Sequence, residues 1–135
     1  MNNKLKVLFV ASVIVIAICG IFVVAYNRGS DMNTRNRRIT ASEAREMMKR
    51  NPNAIILDVR TTREFETGRI PGAVLLPDYA IRERAGNVLP NQNALILVYC
   101  ASGMRSREAV YELISMGYTN VYDFGGLNTW PYERD

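Results

Sequence analysis

The 135-residue chain contains no histidine. That absence removes the Ser-His-Asp triad and the Cys-His pair together, so any nucleophile here must be activated without an imidazole. Cysteine is scarce: Cys19 and Cys100 are the only two. Cys19 lies inside an uncharged apolar run and Cys100 lies far along the chain, so no disulfide framework is expected. With one cysteine outside that run and no histidine, a zinc site is excluded, and neither metal nor cofactor is expected. Internal repeats and low-complexity tracts are lacking too. The length allows one compact domain with a short appendage, not two domains.

The formal net charge of +4 invites a nucleic-acid reading, and the position of the charge argues against it. Residues 1–38 carry Lys4, Lys6, Arg28, Arg35, Arg37 and Arg38 against Asp31 alone. Residues 39–135 carry eleven basic and twelve acidic side chains, a balance near neutral. A nucleic-acid footprint needs a basic patch on the domain itself, so no nucleic-acid partner is expected. The basic excess instead flanks an apolar run, where a membrane accounts for it.

That run extends over the 19 residues from Val7 to Ala25 without a charge. At ~1.5 Å per residue a helix of this length spans about 28 Å, close to a bilayer core. The apolar part of a cleaved signal is usually shorter, so residues 1–26 read as a transmembrane anchor or an uncleaved signal. Residues 27–38 read as a basic linker and residues 39–135 as the domain. Lys and Arg counts alone place the domain on the cytoplasmic side. A short basic N-terminus before the first apolar run is also how exported chains begin, which places the domain outside.

Within the domain, Thr40 and Glu43 have capping-box spacing, and Ala44, Met47 and Met48 follow at helical spacing until Asn51-Pro52-Asn53. Residues 54–57 form a short apolar run, expected as a strand buried on both faces. Thr62 is expected to cap a short helix over 63–66, ended by Gly68. Residues 70–77 read as a turn into a second strand, and 78–85 as a short helix. Residues 94–99 are the clearest strand and 106–116 the clearest helix, with Ala109, Val110, Leu113 and Ile114 on one face and Gly117 as the stop. Another strand is expected at 120–123, a turn at Gly125 and Gly126, and Trp130 packed back on the core. Alternating strands and helices predict an α/β domain, its mainly parallel sheet flanked by helices and preceded by one transmembrane helix.

Cys100, Ala101, Ser102, Gly103, Met104 and Arg105 connect that clearest strand to that clearest helix. Ligands of an open α/β sheet bind beyond the carboxyl ends of its strands. A helix N-terminus there offers unpaired N–H groups, and a loop of small residues can aim several of them at one centre. A cysteine at the base of such a cradle has its thiolate favoured, and Arg105 adds a fixed positive charge. The plain alternative is a buried, inert cysteine closing a strand before a tight turn.

At this point the residues resemble a single-domain rhodanese. The resemblance is carried, in order, by Leu57-Asp58-Val59-Arg60, Glu64-Phe65, Gly68 to Ala73, Val98-Tyr99-Cys100, Ser102-Gly103, Arg105-Ser106, Gly117 to Tyr122, and Gly125 to Trp130. It covers the domain from about Ile39 to Trp130; the ordered set is specific where no single motif is. It implies a sulfurtransferase in which Cys100 is the catalytic nucleophile. Cys100 would take the outer sulfur of a donor such as thiosulfate and pass it, as a persulfide, to cyanide or a thiol. Ala101, Ser102, Gly103, Met104 and Arg105 would bind the donor. Asp58 and Arg60 resemble the family's pair after the first strand and read as mainly structural, a buried ion pair. The resemblance also tips the domain toward the extracytoplasmic side.

Three positions depart from the usual pattern: Arg69 where histidine is common, Ala101 where a basic residue is frequent, and the apolar Met104. The last two weaken the positive field at the loop mouth and bear on thiosulfate as the donor. A cysteine phosphatase or arsenate reductase would separate Cys and Arg by five residues rather than four, and such phosphatases usually have a histidine where Tyr99 stands. A second alternative is a membrane-tethered module that senses redox state or binds a partner without sulfur transfer.

Overall fold

The computed structural model describes residues 2, 15–18, 20 and 37–135. From Arg37 onward the chain forms α1 (Ala41–Arg50), β1 (Ile55–Asp58), α2 (Thr62–Glu66), β2 (Val74–Leu75), a 3-10 turn at Asp78–Ala80 and α3 (Ile81–Val88). β3 (Ile96–Cys100), α4 (Met104–Ser115), β4 (Val121–Gly126) and a second 3-10 turn at Leu127–Thr129 follow. The four strands pair in the order β2-β1-β3-β4, every pair parallel. This is the expected α/β architecture with helices on both faces.

β3 lies between β1 and β4, and all five of its residues are buried. Successive side chains of a strand point to opposite faces. Ile96, Val98 and Cys100 therefore join the cluster built with Ile81 and Ala85 of α3 and Val110 and Leu113 of α4. Leu97 and Tyr99 join the opposite cluster, with Ala44 of α1, Phe124 and Trp130. Burying each such aliphatic side chain contributes roughly 1.5–3 kcal/mol. The same period puts Cys100 on the α4 face of the sheet. Trp130 packs back on the core, as expected, with its ring 5.4 Å from that of Phe124.

Several boundaries differ from the sequence expectations. The cap of α2 is Thr61, not Thr62: its side chain accepts the Glu64 N–H, and Glu64 returns to the Thr61 N–H at 3.0 Å. The box requires a glutamate or glutamine three positions on, and Thr62 has Phe65 there. The helix expected at 78–85 is a 3-10 turn followed by α3, which runs to Val88. α4 begins at Met104 rather than Ser106. Gly125 and Gly126, expected as a turn, close β4 and carry it up to the end of β3, where Cys100 pairs with Gly126 after a register shift.

Arg37 and Arg38, assigned to the linker by composition, lie along β4. The Ile39 N–H donates to the Asp123 carbonyl and the Asp123 N–H to the Arg37 carbonyl, both at 2.9 Å. Residues 15–18 and 20 are helical. The rest of the expected span over 7–25 lies outside the described residues, as does the linker up to residue 36. Among the described residues no helix is long and apolar enough to cross a membrane.

Candidate active site

Cys100 ends β3 and Gly103 is the N-cap of α4, in the left-handed region at φ 98°. A Cβ at position 103 would stand 3.2 Å from the Gly125 Cα. Glycine therefore meets both a conformational and a spatial requirement there. The cap has no side chain to accept the first-turn N–H groups of the helix. The sulfur takes that place: the Gly103 N–H donates to Cys100 Sγ at 3.0 Å.

Burial pushes the Cys100 thiol up, and the Ser106 N–H and hydroxyl with the N–H groups of Gly103 and Ser102 more than offset it, so the thiol lies below its ordinary value. The Ser106 hydroxyl carries a single proton, and Asp123 Oδ1 at 2.7 Å, a charged acceptor, competes for it. The hydroxyl is thus a weaker hold on the thiolate than the backbone donors. A lowered thiol at a helix N-terminus is the form in which cysteine acts as a nucleophile.

The loop rests on the end of β4. A Cβ at Gly126 would fall on the Ala101 carbonyl and within 2.7 Å of the Ser102 Cα. The Ala101 carbonyl accepts the Asn128 N–H at 3.1 Å. Of the residues expected to bind a donor, Ser102 and Gly103 direct N–H groups at the sulfur, and Ala101 anchors the loop. Met104 is 76% exposed at the mouth. Arg105 is engaged elsewhere: its two terminal nitrogens donate to Glu64 Oε2 and Oε1 at 2.8 and 2.6 Å. Beside it a cavity of about 240 Å³ is lined by Asp78, Met104, Arg105, Arg107 and Glu108. Its formal charges balance.

Asp58 and Arg60 form a buried pair, with Arg60 Nη2 2.7 Å from Asp58 Oδ2. Arg60 also donates to the Gly68 carbonyl at 2.6 Å and Asp58 accepts the Arg60 N–H at 2.9 Å. Neither side chain makes a hydrogen bond to the loop 100–106. They tie the end of β1 to the segment after α2. Among the described residues no cluster suits a metal ion.

The sequence reading left three residues out of the site. Glu64 and Ser106 stand in the motifs quoted above without a role, and Asp123 sits in a run read as a plain strand. A polar residue in an otherwise apolar strand was the available signal for Asp123.

A parallel α/β domain with a cysteine at a strand end, cradled by the N–H groups of the following helix, defines a class of thiolate-centred proteins. Within that class the family model of the Rhodanese-like domain matches residues 40–132, and the chain belongs to this family. It is 35% identical over 71 residues to the thiosulfate sulfurtransferase PspE of Escherichia coli strain K12, covering 53% of this chain and 68% of that protein. It is 30% identical over 95 residues to the thiosulfate sulfurtransferase GlpE of Pseudomonas putida, covering 70% of this chain and 84% of that one. Among solved structures, a rhodanese with anions from E. coli superposes with a TM-score of 0.57 at 30% identity, over 61% of this chain and 96% of the other.

Proposed function

We propose that this protein is a sulfurtransferase that moves a sulfane sulfur through a persulfide on Cys100. The observation that carries the reading is the Gly103 N–H donating to Cys100 Sγ at 3.0 Å, at a helix N-terminus with no other cap. The thiolate attacks the outer sulfur of thiosulfate. The new Sγ–S bond forms as the S–S bond of the donor breaks, and its electron pair leaves with sulfite. The persulfide is an anion displaced outward by one atom, toward N–H groups of the same cradle. Cyanide or a thiolate then attacks that outer sulfur and returns Cys100 as a thiolate. No proton shuttle is needed in the transfer to cyanide, which suits a chain without histidine.

With Arg105 neutralised by Glu64, recognition of the sulfonate rests on the backbone N–H groups of the loop rather than on a free Arg105. This favours a modest affinity for thiosulfate and leaves room for a less charged donor, such as a polysulfide.

The apolar residues 7–25 serve in this reading as a single-pass anchor with the domain on the extracytoplasmic side. The exposed Val15, Ile16 and Ile18 support the anchor; the side rests on the family resemblance. Resistance of the full chain to alkaline extraction from membranes, with Cys100 labelled by an impermeant reagent on intact cells, is the expected outcome. Extraction into the soluble fraction would overturn it.

The deciding experiment for the chemistry is intact-mass spectrometry of the full chain after brief exposure to thiosulfate, beside Cys100→Ser. One added sulfur atom in the wild type alone, removed by cyanide, supports the persulfide. No gain with thiosulfate or polysulfide in a folded chain with a reduced thiol turns the reading to a redox-sensing or partner-binding module.

A further inference from the structure

Asp123 is a buried acid joined to the first turn of α4 behind the loop through Ser106. Its Oδ1 accepts from the Ser106 hydroxyl at 2.7 Å and from the Gly125 N–H at 2.9 Å. Its Oδ2 is buried and, among the described residues, has no hydrogen-bond partner. Ser106 is also the residue whose N–H faces the Cys100 sulfur. A carboxylate in this position adds a second negative charge beside the thiolate and opposes its formation.

Among the described residues, Arg38 answers that charge. Arg38 Nη1 lies 3.6 Å from Asp123 Oδ2, with the Asp123 side chain 3% exposed and the Arg38 side chain 50%. The pairing is imposed by the backbone: residues 37–39 run parallel to β4 and place residue 38 opposite residue 123. Arg38 is also packed against the rear of the loop. A Cβ at Gly103 would meet its Nη2 at 3.4 Å, and one at Gly125 at 3.7 Å. The neighbouring Arg37 lies over the Tyr122 ring, 5.3 Å from its centroid. Arg105 of α4 also acts on the sulfur; it is bound to Glu64 of α2 and faces Asp78.

We propose that Arg38 is a positioning residue of the site: it balances the buried Asp123 carboxylate and so keeps Cys100 available as a thiolate. The segment that enters the domain thereby sets the reactivity of the nucleophile, without touching the donor. This rests on the reading of Cys100 as the sulfur carrier and adds a control over it.

The test is the pH dependence of Cys100 alkylation by iodoacetamide in the full chain carrying Cys19→Ser, so that one thiol reports. Arg38→Gln is expected to move the midpoint up by about half a unit or more, and Arg38→Lys to leave it near the wild type. Asp123→Asn is expected to move it down, and the double variant Arg38→Gln with Asp123→Asn to return it toward the wild type. An unchanged midpoint in Arg38→Gln overturns the proposal. So does an equal shift in Arg38→Gln and Arg38→Lys, or a double variant no nearer the wild type than Arg38→Gln. Should Asp123→Asn fail to fold, the comparison of Gln with Lys at position 38 decides alone. Alkylation reads the thiolate directly. A chain that never gains sulfur but shows these shifts sinks the sulfurtransferase reading and leaves this one standing.

Discussion

Glu64 grips Arg105 with both carboxylate oxygens, at 2.8 and 2.6 Å, and so joins the first turn of α2 to the first turn of α4. The same carboxylate closes the capping box at Thr61. One acidic side chain thus fixes a short helix and cancels the charge beside the loop. A cation that the family resemblance assigned to the donor is held by Glu64 instead.

Glu64→Gln keeps the capping box, since glutamine serves at that position, and loses the ion pair. The guanidinium beside it holds the Glu64 carboxyl down at about 2, from an ordinary 4.5. A depressed carboxyl contributes stability that is present above pH 4.5 and lost as pH falls toward 2. Both side chains are about one-third exposed, so solvent screening limits the loss at neutral pH to about 1 kcal/mol. Urea unfolding of wild type and Glu64→Gln should differ at pH 7 and converge only as the pH falls toward 2. The released Arg105 should lower the KM for thiosulfate severalfold; an unchanged KM would mean the donor never meets that charge.

The Asp58–Arg60 pair leads to a different expectation. Asp58→Asn leaves the Arg60 guanidinium buried without its counter-ion, which costs roughly 3–5 kcal/mol. Chemical denaturation should show a loss of that size. Sulfur loading of Cys100, read by intact mass at low temperature, should persist in the folded fraction. Loss of loading in a chain that remains folded would assign the pair a part in the chemistry.

Much of this arrangement was legible in the chain because it depends on local rules. The continuous apolar run over 94–99 placed Cys100 just past a strand end, and the small residues after it announced a loop. The capping box at Thr40 and Glu43 was correct, and the buried pair at Asp58 and Arg60 formed as expected. What escaped depends on long-range pairing. Neither the Glu64–Arg105 bridge, across 41 residues of sequence, nor the contact of Ser106 with Asp123 follows from periodicity. Arg38 read as linker because its partner strand lies 85 residues away. The helix over 104–115 begins two residues earlier than expected because Gly103 supplies a left-handed cap, which places Arg105 in the first turn of the helix rather than in the loop.

Ser106→Ala separates the two roles of that residue. Removal of the hydroxyl leaves Asp123 Oδ1 with the Gly125 N–H alone, in a buried site, at a cost of about 1–3 kcal/mol. The Ser106 N–H that faces the sulfur remains. The midpoint of Cys100 alkylation in the wild type should lie below that of an ordinary thiol, and in Ser106→Ala it should stay there while the urea midpoint falls. A midpoint that climbs to the ordinary thiol range would mean that the hydroxyl, and not the peptide N–H, stabilises the thiolate.

Two glycines give the sharpest contrast. Gly86 is exposed in α3 and a Cβ there meets nothing within 4 Å. Gly86→Ala should therefore stabilise the domain by roughly 0.5–1 kcal/mol through helix propensity. Gly126 is buried, and its φ of −122° suits any residue. Its constraint is space alone, because a Cβ would press on the Ala101 carbonyl and the Ser102 Cα, both backbone. Backbone cannot rotate away, so Gly126→Ala must lift the loop off β4, an overpacking cost of about 1–3 kcal/mol. The lifted loop withdraws its N–H groups from the sulfur. Stability should fall, and the alkylation midpoint of Cys100 should rise toward that of a free thiol. Loss of stability with an unmoved midpoint would show that the cradle holds its shape without the support of β4.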